Sequence, residues 1–189
     1  MQLLEERIRR DGKVRDGNIL KVDSFLNHQM DVKLFGQMAQ EFYRLFHDES
    51  VSKVLTIEAS GIGMACFVGQ AFDCPVIFAK KTKTKNIAGD VYTAMVESFT
   101  HGGTYDIIVA KEFLNSSDRV LIIDDFLANG SALSGLSTII KEAGATSVGA
   151  GIAIEKAFQH GGDTLRAQGL RIESLAKIAS MENGKINFC

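Results

Sequence analysis

Residues 120–133, Val-Leu-Ile-Ile-Asp-Asp-Phe-Leu-Ala-Asn-Gly-Ser-Ala-Leu, constrain what this chain can fold into more than any other stretch. Val120 to Ile123 are four consecutive β-favouring apolar residues with no polar face, which suits a strand covered on both sides. Asp124 and Asp125 stand where that strand is expected to end. The loop Ala128-Asn129-Gly130-Ser131-Ala132 then enters a helix whose apolar spacing runs through Leu133, Leu136, Ile139 and Ile140. In parallel α/β sheets, ligands bind beyond the carboxyl ends of the strands. Small residues entering a helix leave backbone N–H groups open to a phosphate, and paired carboxylates accept hydrogen bonds from sugar hydroxyls. The stretch therefore suits a sugar phosphate. A plain strand-to-helix turn capped by Asn129 or Ser131 is the simpler alternative; the order of strand, acidic pair, loop and helix argues against it.

The rest of the chain supports an α/β reading. Its 189 residues suit one domain with a core of ordinary size. The formal charge of −2 gives no field that attracts nucleic acid or an anionic membrane. No apolar run approaches a membrane span, and Met1 to Arg10 is charged rather than signal-like, so a cytoplasmic protein is expected. Cys66, Cys74 and Cys189 lack metal-ligand spacing, and the histidines, His28, His47, His101 and His160, do too. No metal site made by the protein and no catalytic histidine are expected. Cys66 and Cys74 read as small core residues.

Helices are expected at Leu3–Ile8, ended by Asp11-Gly12, and at Asp31–His47, with Leu34, Phe35, Met38, Phe42, Leu45 and Phe46 buried. A brief strand is expected over Asn18–Asp23. Further strands are expected at Lys53–Glu58, Val76–Ala79 and Val148–Ile154, with helices after Gly63 and near Phe158–Gln168. Gly89–Ser98 and Asp106–Leu114 read as a hairpin around a turn at Thr100–Thr104, and strands near Arg171–Ala179 and Lys185–Phe188 close the chain. Alternating strands and helices favour a mainly parallel central sheet flanked by helices.

Three further stretches carry possible chemistry. Glu58-Ala59-Ser60-Gly61 repeats the pattern of strand end, acidic residue and small residues, although alone it is an ordinary turn. Lys80, Lys81, Lys83 and Lys85 form a basic run directly after a strand; such runs are commonly solvated surface. Lys21-Val-Asp-Ser-Phe-Leu-Asn-His-Gln29 has no strong periodicity, and by composition is a loop capped by Ser24 or Asp31.

The 120–133 stretch resembles the signature of the type I phosphoribosyltransferases: an apolar run, two acidic residues, then Ala-Thr-Gly and small or hydroxyl residues. Asn129 stands where Thr is usual and Ala132 where Thr or Ser is common, which leaves the cradle more dependent on main-chain amides. Leu-Lys-Val-Asp-Ser-Phe-Leu-Asn-His-Gln, Phe126-Leu-Ala-Asn-Gly130, Ile154-Glu-Lys156 and Glu173-Ser-Leu-Ala176 closely resemble segments of bacterial xanthine phosphoribosyltransferases, in which Asn129 is itself a feature. The resemblance implies the type I fold with a hood from roughly residues 1–30 and C-terminal segments, and a flexible lid hairpin near 80–105. It implies catalytic Asp124 and Asp125 at the ribose, and Ala128, Asn129, Gly130, Ser131 and Ala132 at the 5-phosphate of phosphoribosyl pyrophosphate. Ala59, Ser60, Gly61 and Lys81 fall to the pyrophosphate, and Leu20, Asn27 and Lys156 to the base. Mg2+ would arrive with the diphosphate, xanthine would be the acceptor, and the assembly would be a homodimer. A hypoxanthine-guanine enzyme is the alternative within the class, since those bases share the 6-oxo group. A regulator sensing the same metabolite is a further alternative, disfavoured by the slight acidity and by the lack of a helix-turn-helix in these 189 residues.

Overall fold

The computed structural model describes residues 1–15, 19–81, 89–97, 103–182 and 184–189. In chain order the elements are α1 (Gln2–Asp11), β1 (Lys13–Arg15), β2 (Ile19–Lys21), α2 (Val32–Phe46), β3 (Lys53–Ile57), α3 (Gly61–Phe72), β4 (Val76–Ala79), β5 (Val91–Glu97), β6 (Thr104–Ala110), β7 (Arg119–Leu127), α4 (Ser131–Glu142), β8 (Thr146–Lys156), α5 (Gly161–Ala167), β9 (Ile172–Glu182) and β10 (Lys185–Phe188).

Six strands form the central sheet in the order β10-β9-β8-β7-β3-β4, parallel throughout except for the antiparallel edge pair β9–β10. β7 lies inside the sheet between β8 and β3, and its alternate residues face opposite ways. Leu121 and Ile123 join one apolar cluster with α1, α2 and α3; Val120 and Ile122 join the other with α4 and the β5–β6 hairpin. This is why the sequence there has no polar face.

The connection after β3 crosses by α3, which packs in the first cluster, and reaches β4. The connection after β7 crosses by α4, which packs in the second, and reaches β8. The two connections therefore diverge to opposite faces at the β3–β7 boundary, the place where a parallel sheet leaves a crevice at its carboxyl ends. The acidic pair and the Ala59–Gly61 turn both lie at those ends.

The N-terminal segment covers the first face. Leu4 and Ile8 of α1 are fully buried, and the Met1 amino group donates to the Leu175 carbonyl of β9. β1 and β2 pair as a small antiparallel hairpin, followed by a short π-helical turn, Asp23–Asn27, that buries Phe25 and Leu26. Arg7 fastens this region: its guanidinium lies 2.6 Å from Asp31 Oδ2 and 5.0 Å from the centre of the Phe25 ring. Asp31 in turn caps α2, accepting from the Leu34 N–H at 3.1 Å. On the second face, the β5–β6 hairpin packs against α4 at Gly135, where a Cβ would lie 2.6 Å from Val96 Cγ2.

Several boundaries differ from expectation. β7 continues through both aspartates to Leu127 because its hydrogen bonding to β8 persists through Leu127↔Glu155, so the acidic pair lies within the strand. α4 begins at Ser131, which shortens the loop to Ala128–Gly130 and puts Ser131 and Ala132 in the first helical turn. α5 begins only at Gly161, because His160 at φ 59° separates it from the 3-10 turn Ala157–Gln159. Cys66 is exposed rather than core, since α3 buries Gly61, Met64, Ala65, Val68 and Gly69 and position 66 falls outside that stripe; Cys74 is half-buried. Leu45 is half-buried rather than fully covered. The expected turn near residues 100–104 falls largely outside the described residues, as do Lys83, Lys85 and Asn18.

Candidate active site

The acidic pair takes its shape from the strand. Asp124 and Asp125 are both buried, and their carboxylates turn back onto the chain: the Asp125 N–H donates to Asp124 Oδ1 at 3.0 Å, and the Phe126 N–H to Asp125 Oδ1 at 3.1 Å. Burial pushes the Asp124 carboxyl well above the ordinary carboxylate range, and the charge of Asp125 pushes it further. The Lys81 ammonium acts in the opposite sense.

The turn after β3 stands against this pair. Gly61, the first residue of α3, has no room for a side chain: a Cβ would strike Thr56 Oγ1 and lie 3.3 Å from Asp124 Oδ1. That close approach requires glycine and brings the Ala59–Gly61 turn to Asp124. The Glu58–Ala59 peptide is cis, Ala59 is exposed, and the Ser60 hydroxyl makes no cap bond to α3. The Thr56 hydroxyl is fully buried and has no partner among the described residues. Glu58 ties the turn to the base of the next connection: its Oε1 accepts from the Lys81 N–H at 2.6 Å. The exposed Lys81 side chain reaches within 5.6 Å of the Tyr105 ring centre.

Gly130, at φ +89°, makes the turn into α4, and its carbonyl accepts from Ser134 N–H at 2.9 Å. Asn129 Oδ1 accepts from Ser131 N–H at 3.2 Å, which leaves its Nδ2 end as the donor. Neither Asn129 nor Ser131 acts as a side-chain cap of α4; Gly130 holds the cap position. A cleft of about 400 Å³ opens beside the loop, lined by Asn129 and Ser131, by Met95 and Thr104 of the hairpin, and by Thr164 and Gln168 of α5.

The expected base contacts come from two places. Leu20 is buried on β2, and Asn27 ends the π-helical turn with its Oδ1 buried and unpartnered among the described residues. Lys156 ends β8; burial lowers its pKa, and its ammonium lies 5.6 Å from the centre of the Phe126 ring. Phe126 and Ile154 pack in the same cluster as Leu20, Phe25 and Leu26, so the N-terminal hairpin and turn cover the face against which Lys156 rests. The parallel register Leu127↔Glu155 sets Lys156 level with the loop after β7.

Sequence reasoning missed Thr56 and Arg166, and it marked Glu58 and Glu155 as strand-end acidic residues without giving either a partner. A lone acidic residue closing an apolar strand, as Glu155 closes β8, was a readable signal that it needed a buried partner. Nothing in spacing indicated Arg166.

Comparisons with known proteins show the family. Residues 21–166 match the family described as the phosphoribosyl transferase domain. The chain is 58% identical to the xanthine phosphoribosyltransferase of Lachnoclostridium phytofermentans, over all of this chain and 98% of that protein. It is 56% identical to that of Ruminiclostridium cellulolyticum, over all of this chain and 99% of that protein. Among solved structures, the APRTase of Giardia lamblia complexed with 9-deazaadenine superposes with a TM-score of 0.81 at 18% identity, covering 94% of this chain and 98% of that one; at that identity the likeness speaks for the fold alone. The chain belongs to the phosphoribosyltransferase family, on the branch of the bacterial xanthine phosphoribosyltransferases.

Proposed function

We propose that this protein transfers the phosphoribosyl group of phosphoribosyl pyrophosphate to xanthine, giving xanthosine monophosphate and pyrophosphate. The carrying observation is a buried acidic pair at the β3–β7 crevice, with the Gly61 turn packed against Asp124 and the Gly130 turn following the same strand. Ala128, Asn129, Gly130, Ser131 and Ala132 take the 5-phosphate, and Asp124 and Asp125 take the ribose. Ala59, Ser60 and Gly61, with Lys81, take the pyrophosphate. The reaction breaks the bond from C1 to the diphosphate and forms one to the purine nitrogen through an oxocarbenium-like state. A carboxylate whose charge is penalised by burial gains most when the adjacent sugar turns cationic, so Asp124 stabilises that state more than the substrate.

The base lies under the N-terminal hood. Asn27 Oδ1 accepts from a purine N–H, Leu20 supplies an apolar wall, and Lys156 donates to an exocyclic oxygen, which favours 6-oxopurines over adenine. The full-chain likeness to xanthine phosphoribosyltransferases favours xanthine over hypoxanthine and guanine. The chain is read as one domain, with a hood near 1–30 plus the C-terminal segments; the lid expected near 80–105 lies in part on residues 82–88 and 98–102, outside the described residues. A homodimer in the cytoplasm fits this reading. No described helix is long and apolar enough to cross a membrane.

Magnesium suits the oxygen donors here: the diphosphate and ribose oxygens of the substrate, with one or two carboxylates of the acidic pair nearby. When bound with the diphosphate it supplies charge neutralisation of the leaving group. Mixing protein, phosphoribosyl pyrophosphate and Mg2+ with xanthine should release pyrophosphate and xanthosine monophosphate in equal amounts, and a chelator should stop both. Release of neither product, with folded protein, would overturn the assignment.

A further inference from the structure

The strand that carries Lys156 also carries a buried charge that the transfer chemistry does not use. Glu155 is 1% exposed and accepts a bidentate fork from Arg166 of α5, at 2.8 Å from Nη1 and 2.7 Å from Nη2. The Ser174 hydroxyl donates to the same carboxylate, and the Lys177 ammonium stands 3.5 Å away, both from β9. Arg166 further donates to the Ile172 carbonyl at 3.3 Å.

The helix held this way lies under the loop after β7. At Gly161 a Cβ would strike the Ala128 carbonyl and the Asn129 backbone and lie 2.6 Å from the Gly130 nitrogen. At Gly162 it would strike Glu155 and lie 2.7 Å from Arg166 Nη1, so the start of α5 is clamped between loop and ion pair. Leu165 completes the contact: a Cβ on Gly130 would lie 3.0 Å from its Cδ1.

We propose that Glu155 and Arg166 are a positioning pair that holds α5 as the platform beneath the 5-phosphate loop and fixes that loop relative to Lys156. This rests on the assignment of residues 128–132 to the 5-phosphate. A buried ion pair adds little stability over an apolar replacement of the same shape, whereas a bidentate fork fixes orientation closely. Burial works to raise the Glu155 carboxyl, but Arg166, Ser174 and Lys177 outweigh it and hold it below the usual carboxylate range, so the pair stays ionised at neutral pH. One anchor thus serves both ends of the substrate pair: the strand residue after Glu155 is Lys156, and the helix opposite carries the phosphate loop.

The test uses the full chain with Glu155→Gln, Arg166→Met, the double variant, and Arg166→Lys, which keeps the charge and alters the fork. The expected result is a KM for phosphoribosyl pyrophosphate raised at least tenfold in each charge-removing single variant. kcat should stay within about threefold, the KM for xanthine should rise less, and affinity for inorganic pyrophosphate by calorimetry should stay within about twofold. The double variant should be no worse than the singles, and Arg166→Lys should fall between wild type and Arg166→Met; Arg166→Lys also carries the test if the other variants fail to fold. A loss of thermal stability or active fraction with an unchanged KM would overturn the inference, as would a parallel loss of pyrophosphate affinity. Absence of turnover in the wild type would overturn the transfer assignment and this inference with it, which separates the two failures.

Discussion

The end of β7 and the N-terminal turn at Leu20–Asn27 are built by different physics. β7 lies between parallel neighbours and is packed on both faces, and beyond Ile122, where pairing with β3 stops, its carboxyl end is held by β8 through Leu127↔Glu155. The N-terminal turn hangs from a three-residue strand pair and is held by buried Leu20, Val22, Phe25 and Leu26 and by the Arg7–Asp31 ion pair. A group that must meet a reacting carbon needs the first kind of support. A group that selects among purines tolerates the second, and can change without disturbing the sheet. Reaction type therefore lies in the sheet and base preference in its cover.

That contrast can be broken most severely at Gly61. A Gly61→Ala Cβ collides with Thr56 and crowds Asp124, and a shift of about 1 Å in a reacting group costs roughly a hundredfold in rate. We expect kcat/KM to fall by about that factor for every base tested, measured at saturating phosphoribosyl pyrophosphate; a loss confined to one base would contradict the division. Asp125→Asn should lower kcat/KM at least tenfold, about 1.4 kcal/mol, with the fold intact by circular dichroism. Turnover near wild type would remove Asp125 from the ribose site.

The cover responds differently. Asn27→Ala removes a buried acceptor and should raise the KM for xanthine about tenfold, within the roughly 1–3 kcal/mol that such a contact is worth, while the KM for phosphoribosyl pyrophosphate stays put. Equal changes in both constants would merge the two regions into one. The smallest effect is on stability. The Asp124 pKa is raised on folding, so its contribution is fully present below the unfolded carboxylate pKa and is lost as pH rises toward the folded value. Above the unfolded carboxylate pKa the penalty on the charged form opposes folding, and Asp124→Asn should raise Tm at neutral pH by about 2–4 °C while impairing turnover. The gain should vanish in acid; a lower Tm at neutral pH would show that the carboxylate is compensated.

The sheet region was largely legible in sequence, because continuous apolarity at 120–123 and the 3.6-residue spacing through Leu133 and Ile140 have few other solutions. Its end was misjudged by two to four residues, since hydrogen bonding to β8 carries a strand past the point where hydrophobicity stops. The cover was legible only by resemblance: a π-helical turn has no sequence period, and the burial of Asn27 Oδ1 depends on residues far away in the chain. Glu155 showed in the sequence as an acidic residue closing an apolar strand, but Arg166 did not show as its partner, because the β8–α5–β9 packing and not spacing brings the two together.

The most direct test of the division between sheet and cover is kcat/KM for xanthine, guanine, hypoxanthine and adenine, each with saturating phosphoribosyl pyrophosphate and Mg2+, on the wild type and Asn27→Ala. The account predicts xanthine first and adenine last on the wild type, with the spread narrowing in the variant while turnover of phosphoribosyl pyrophosphate persists. Adenine or hypoxanthine leading on the wild type, or an unchanged ranking in the variant, would contradict it.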